Sequence, residues 1–118
     1  MRVLYAEDDA ILRIALSRCL TDWGFDVDSV RDGKMALARL RVSHFDILLT
    51  DNQMPGMYGV DLLKTIRADE QLKSLPVVVL SGDSTVRGAV VELGGVFVEK
   101  SNCRNLKTIL EQTASTHS

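Results

Sequence analysis

Asp46-Ile47-Leu48-Leu49-Thr50-Asp51-Asn52-Gln53-Met54-Pro55-Gly56 is the stretch on which the fold of this chain turns. Ile47, Leu48 and Leu49 form a continuous apolar run of strand length, which suits a strand covered on both faces, as in a parallel sheet. Asn52, Pro55 and Gly56 then break the run. Pro55 has no backbone N–H and biases Met54 toward extended geometry. The stretch reads as a buried strand that carries Asp51 to its C-terminal lip, the place where open α/β sheets put their chemistry.

Upstream, Arg2-Val3-Leu4-Tyr5-Ala6 is a second strand-like run, and it too ends in acid, at Glu7-Asp8-Asp9. Asp9 is placed to cap a helix in which Ile11, Leu12, Ala15, Leu16, Cys19 and Leu20 recur at helical spacing before Gly24 stops it. This helix is expected to cover one sheet face. Residues 25–30 alternate with period two, as an edge strand does. A helix from about Asp32 follows, with Met35, Ala36, Leu37 and Leu40 apolar, closed by Ser43-His44; His44 reads as a surface loop residue rather than a ligand or base.

Downstream, Val60, Leu63 and Ile66 fall three apart in a third helix that runs to Arg67. Residues 75–80 are the next buried strand, with Pro76 at its tolerated first position and Ser81-Gly82-Asp83 punctuating its end. Residues 84–93 predict a helix weakened by Gly88 and by Val86, Val90 and Val91, so locally soft. Val96-Phe97-Val98 forms a fifth strand ending in Glu99-Lys100. Ser101 or Asn102 would cap a last helix carrying Leu106, Ile109 and Leu110, and residues 114–118 read as a frayed tail. Five strands alternating with five helices imply a parallel sheet with helices on both faces.

A chain of 118 residues, 46% hydrophobic, is the size of one domain with a buried core. Its net charge of −2, with no basic stripe, argues against direct nucleic-acid binding or a membrane surface. No segment approaches the ~20 apolar residues that span a bilayer, and the N-terminus enters a strand pattern rather than a signal sequence. Cys19 and Cys103 lack the partner spacing of a disulfide or zinc site and read as unpaired thiols of a reducing, cytoplasmic protein.

The strand ends deliver Glu7 and Asp8, then Asp51, then Ser81, then Lys100. Carboxylates at about 4 Å repel by roughly 4 kcal/mol per pair at an effective dielectric near 20. A divalent cation offsets most of that, and oxygen-only ligands that leave room for water and phosphate favour Mg²⁺. Asp51 can then act as a carboxylate nucleophile toward a phosphoryl group. Lys100 supplies a fixed positive charge and the Ser81 hydroxyl a donor to the phosphoryl oxygens. Singly, each residue has an ordinary structural reading: Asp9 as a helix cap, Lys100 as solvated surface, Ser81-Gly82 as a turn pair. Their joint order is what carries chemistry.

That ordered set, Glu7-Asp8, Asp51 with Met54-Pro55-Gly56, Ser81 and Lys100, resembles the receiver domain of two-component response regulators over nearly the whole chain. The resemblance implies a receiver domain over residues 1–114, with 115–118 a tail or the start of a linker. It implies a doubly wound, flavodoxin-like five-stranded parallel sheet of order 2-1-3-4-5 with five helices. It also implies a phosphoacceptor signalling domain rather than an enzyme with an external substrate. Asp51 would be the phosphoacceptor, Asp8 and Asp51 direct Mg²⁺ ligands, Glu7 a ligand through water, and Gln53 a ligand by its backbone carbonyl. Lys100 would contact the phosphoryl group, and Ser81 and Phe97 would be the switch pair, Ser81 drawn inward and Phe97 filling the vacated space. Gln53 and Asp83 would tune phosphoryl lifetime. The implied partners are a histidine kinase or phosphotransfer protein and a downstream protein or effector domain, read out on the fourth helix, fifth strand and fifth helix, with a phosphorylation-dependent dimer as one form.

Three positions depart from the family pattern. Ser101 stands where proline is usual, and a non-proline cis bond costs about 2.5–4 kcal/mol, so the family's cis peptide is not carried over. Phe97 lacks a tyrosine hydroxyl, so a switch there works through packing. Tyr58 replaces the aspartate that often precedes Gly59, altering the entry to the third helix and shielding the pocket.

Three competing functions are weaker. An aspartate-nucleophile phosphatase needs a second aspartate two residues after the first, and Gln53 occupies that position. A flavin module wants a phosphate cradle after the first strand, where Glu7-Asp8-Asp9 would repel phosphate. A phosphorylation-independent binding receiver would have no need of the complete set of reactive groups.

Overall fold

Four apolar runs and one alternating segment become five parallel strands, β1 (Arg2–Ala6), β2 (Asp26–Val30), β3 (Ile47–Asp51), β4 (Val77–Ser81) and β5 (Val96–Glu99), joined in the order β2-β1-β3-β4-β5. The structure, a computed structural model, describes residues 1–116, without the side chains of Asn102, Cys103 and Thr116. Every crossover carries a helix: α1 (Ala10–Asp22), α2 (Gly33–Val42), α3 (Gly59–Ala68) and α4 (Arg87–Glu92), with α5 (Leu106–Thr116) closing the chain. This is the doubly wound architecture expected, with β2 at one edge.

Alternation along the strands sorts the core into two layers. Leu4, Leu48, Val77, Val79 and Phe97 face Leu37, Leu40, Leu62, Leu63, Ile66 and Val90 from α2, α3 and α4. Val3, Tyr5, Ile47, Leu49, Val78 and Leu80 face Leu20 of α1 and Leu106 and Leu110 of α5. All five residues of β3 and of β4 are buried, which is why both read as unbroken apolar runs.

Several expectations need correction. The α1 stripe Ile11, Leu12, Ala15, Leu16, Cys19 and Leu20 covers the sheet only in part: Leu20 is buried and Leu16 half-buried against it, while Ile11 is 80% exposed. At about 100° per residue, the line through Leu20 runs back through Leu16 to Arg13, so the inward position nearest the acidic end is a guanidinium, not an aliphatic side chain. Met35 likewise sits outside the α2 contact, 41% exposed. The fourth helix is shorter than residues 84–93, because Ser84–Val86 is a 3-10 turn that precedes α4. A second 3-10 turn, Lys100–Asn105, separates β5 from α5, so the helix begins at Leu106 rather than beside Ser101. The expected Asn102 cap and the unpaired Cys103 thiol rest on side chains outside the described residues, whereas Cys19 is free and exposed. The frayed tail from Ala114 is not met, since α5 continues to Thr116; residues 117–118 lie outside the described set.

Other boundaries hold for local reasons. The Asp9 carboxylate accepts the N–H groups of Ile11 at 2.9 Å and Leu12 at 3.2 Å, capping α1. Gly24 takes φ +97° just after the helix, a conformation that a side chain would strain. Asp32 caps α2 through Met35 N–H at 2.8 Å. Among the described residues no helix is long and apolar enough to cross a membrane.

Candidate functional site

Asp51 is the last residue of β3 and is 3% exposed. The chain turns immediately beyond it, and Asn52 makes the turn: its carbonyl accepts Gly59 N–H at 2.8 Å and its side-chain oxygen accepts Val60 N–H at 3.1 Å. Asn52 thus serves the open N-terminus of α3 from across the loop, where the N-cap position holds the bulky, 58% exposed Tyr58. Asp61 completes the entry by accepting Tyr58 N–H at 3.3 Å. Thr50 Oγ1 donates to the Asp51 carbonyl at 2.9 Å, anchoring the lip from the β3 side.

Glu7 extends the pairing of β1 by one residue, its N–H donating to Val30 carbonyl oxygen at 3.0 Å, and it is 2% exposed. One carboxylate oxygen each from Glu7, Asp8 and Asp51 lie within 4.8 Å of one another, with Asp8 on the exposed side. Lys100 Nζ reaches across from the end of β5 to Asp51 Oδ1 at 3.0 Å and to Glu7 Oε1 at 3.9 Å. The Lys100–Ser101 peptide that begins the following turn is trans.

One lysine does not neutralise this pocket. Burial first, and then the Asp51 charge, push the Glu7 carboxyl up to about 7, against the opposing pull of the Asp9 N–H at 3.3 Å and of Lys100. Three converging carboxylates, two of them buried, with no nitrogen or sulfur donor in the cluster, fit a hard divalent cation.

Ser81 ends β4, 1% exposed, and its Oγ accepts Asp83 N–H at 3.0 Å. Phe97 is buried on the same layer as Val79, with which it is in register, and the Arg87 guanidinium stacks over its ring at 4.6 Å. Gln53 and Asp83 line the rim of one cleft of about 370 Å³ together with Tyr58. The Asp83 carboxylate accepts Thr85 N–H at 3.0 Å and Thr85 Oγ1 at 2.6 Å, which hold it below the usual carboxylate range. His44 lies in the loop before β3, at the opposite end from Asp51, 3.3 Å from Asp46 and clear of this site.

The expected Glu7, Asp8, Asp51 and Lys100 therefore meet at one point, and Ser81 ends the neighbouring strand. Sequence reasoning missed Asn52 and Arg13. Arg13 Nη1 donates to Glu7 carbonyl oxygen at 2.8 Å and to Asp8 carbonyl oxygen at 3.5 Å, bracing the acidic loop from α1. The available signal was a charged residue on the otherwise inward line of that helix.

Comparison with known proteins agrees with this geometry. The response regulator receiver domain pattern matches residues 3–111. Chemotaxis protein CheY-3 of Vibrio cholerae serotype O1 is 36% identical over 117 residues, spanning 95% of this chain and 90% of that protein. Among solved structures, the chemotaxis response regulator CheY4 of Vibrio cholerae superposes with a TM-score of 0.85 at 28% identity, covering 95% of this chain and 97% of that one. Response regulator TrrA of Thermotoga maritima, solved in complex with Mg²⁺–BeF, shares the fold with a TM-score of 0.84 at 24% identity, covering 95% and 97%. The acidic lip of β1 and β3, the lysine that bridges to it and these likenesses lead to one assignment: the chain belongs to the response regulator receiver domain family, with chemotaxis CheY proteins among its relatives.

Proposed function

We propose that this chain accepts a phosphoryl group on Asp51 from a histidine kinase or phosphotransfer protein, with Mg²⁺, and passes the signal on by reshaping a protein-binding face. The observation that carries the reading is a buried Asp51 whose Oδ1 is held by Lys100 at 3.0 Å beside two further carboxylates. The lysine engages Oδ1, which leaves Oδ2 to attack phosphorus. A P–O bond forms as the P–N bond to the donor imidazole breaks, and the electron pair returns to the imidazole nitrogen, which takes up a proton.

Glu7, Asp8, Asp51 and the Gln53 backbone carbonyl would hold the metal, Glu7 through water. Bound there, Mg²⁺ supplies charge screening between the carboxylates and the incoming phosphoryl group. Lys100 follows the charge, exchanging Asp51 Oδ1 for a phosphoryl oxygen. Ser81 turns its hydroxyl to another and so gives up the Asp83 N–H, which loosens the turn into α4. Phe97 shares a layer with this end of β4 and repacks through its ring alone, carrying the change to α4, β5 and α5. The downstream protein or effector domain reads that face, and a phosphorylation-dependent dimer through it belongs to the same proposal. Gln53 and Asp83, at the cleft rim, set how readily water reaches the phosphoryl group. The setting is cytoplasmic.

Intact mass after incubation with acetyl phosphate tests the reading. A Mg²⁺-dependent phosphoryl adduct is expected in the wild type and absent from Asp51→Asn, with its decay altered in Asp83→Ala. No adduct under any condition would leave a phosphorylation-independent binding module. Turnover of a small phosphomonoester would favour the phosphatase instead.

A further inference from the structure

The chain between β4 and β5 is thinly anchored in the core. None of Ser84, Thr85 and Val86 is buried, and in α4 only Val90 is. Yet Arg87, the first residue of α4, does not extend freely into solvent. Its guanidinium lies 4.6 Å from the centroid of the Phe97 ring and 3.9 Å from Glu99 Oε1. Phe97 and Glu99 stand two residues apart on β5 and project from the same face, so one side chain spans both. A planar guanidinium suits the pair, stacking on the aromatic face while an edge meets the carboxylate.

Strand register sets what this contact controls. Phe97 pairs with Val79 and Glu99 with Ser81, so the stack lies beside the end of β4, where Ser81 Oγ accepts Asp83 N–H at 3.0 Å. The ring is 8% exposed: the core packs it from within, and Arg87 lies over it from the head of α4. A ring that moves into space left by Ser81 has to slide out from under that guanidinium. We propose that Arg87 is a positioning residue of the switch: it clamps Phe97 in its resting place, and so sets how readily the phosphoryl site is occupied. This rests on the switch reading given above. The ion pair with Glu99, half-exposed on both sides, contributes little alone, and the stack is the part that holds the ring.

Calorimetric titration with beryllofluoride in saturating Mg²⁺, a probe that occupies a phosphoryl site reversibly, compares the wild type, Arg87→Ala, Phe97→Leu and the double variant. Phe97→Leu keeps an apolar side chain in the layer while removing the aromatic face. Arg87→Ala should bind roughly two- to fivefold more tightly, the scale of one lost cation–π stack, because apparent affinity rises with the share of molecules already free to switch. In the Phe97→Leu background the same change should have no effect, because the ring it holds is gone. Equal tightening in both backgrounds overturns the proposal. So does an Arg87→Ala variant whose urea midpoint falls while its affinity stays at or below that of the wild type, the behaviour of a contact that only supports the fold. Glu99→Gln should bind as the wild type does; tightening as large as that of Arg87→Ala would assign the effect to the ion pair instead and overturn the role of the stack. A wild type that takes up no beryllofluoride removes the phosphoacceptor reading and this role together.

Discussion

At the scale of single residues, the site depends on one missing side chain as much as on those present. A Cβ at Gly59 would stand 2.7 Å from the Asp51 carbonyl oxygen and 2.9 Å from Asn52 Cα, both backbone atoms that cannot swing aside. Gly59→Ala therefore has to push α3 away from the lip that holds Asp51. We expect a loss of about 1–3 kcal/mol in urea unfolding, the usual scale of overpacking, and slower formation of the acetyl-phosphate adduct. Gly82→Ala is the control: nothing lies within 4 Å of its added Cβ, so both readouts should stay near wild type. Asp51, Ser81 and Lys100 were legible in the sequence because each ends a recognisable apolar run, where chain direction alone fixes the position. Asn52 was not, because its role depends on a partner that only the tertiary fold brings near, a helix terminus seven residues ahead.

At the scale of elements, helix existence was legible and helix footing was not. The apolar spacing of α1 was real, yet its line of contact runs through Leu16, Leu20 and Trp23, and Arg13 occupies its acidic end. A stripe tells which residues share a face, not how far the sheet extends beneath it. The fourth helix is reduced to Arg87–Glu92, in which only Val90 is buried. What secures this short element is a side chain from elsewhere. Arg67, near the end of α3, donates to the carbonyl oxygens of Leu93 at 2.6 Å and Gly94 at 3.2 Å, and to those of Lys73 at 3.0 Å and Leu75 at 2.7 Å. One guanidinium thus ties the end of α4 to the approach to β4. Arg67→Ala leaves these carbonyls short of a donor, and we expect a loss of about 2–3 kcal/mol. Amide exchange should quicken first in residues 87–95, while α3 and β3 retain protection. Uniform loss across the chain would show that α4 has no separate stability. Lysine should rescue little, since a single ammonium cannot span the set.

At the scale of the whole molecule, the parallel sheet with helices on both faces follows from strands that alternate with helices, whereas the strand order was legible only through the family resemblance. The charge balance at its acidic end was legible only as a list of residues; how far they repel depends on burial. Glu7 has a carboxyl pushed up to about 7 by burial and by Asp51, against an ordinary value of 4.5. Between those two values the native chain keeps a proton that the unfolded chain has released. Raising the pH through this window therefore draws the equilibrium toward unfolding, and above about 7 the penalty is complete. In chelator, unfolding free energy should fall by about 2 kcal/mol from pH 5 to pH 8, a figure reduced for the solvent that reaches the pocket mouth. Glu7→Gln should flatten that slope, which identifies Glu7 as its source. Adding Mg²⁺ at pH 8 should restore the loss by mass action, by about 2.7 kcal/mol at one hundred times its dissociation constant. At pH 5, where Glu7 is protonated, the same Mg²⁺ should stabilise far less. A domain arranged in this way is least stable, without metal, at the pH where the proposed metal site has its carboxylates ionised. Stability that rose from pH 5 to pH 8 in chelator would mean that Lys100 alone already balances the pocket.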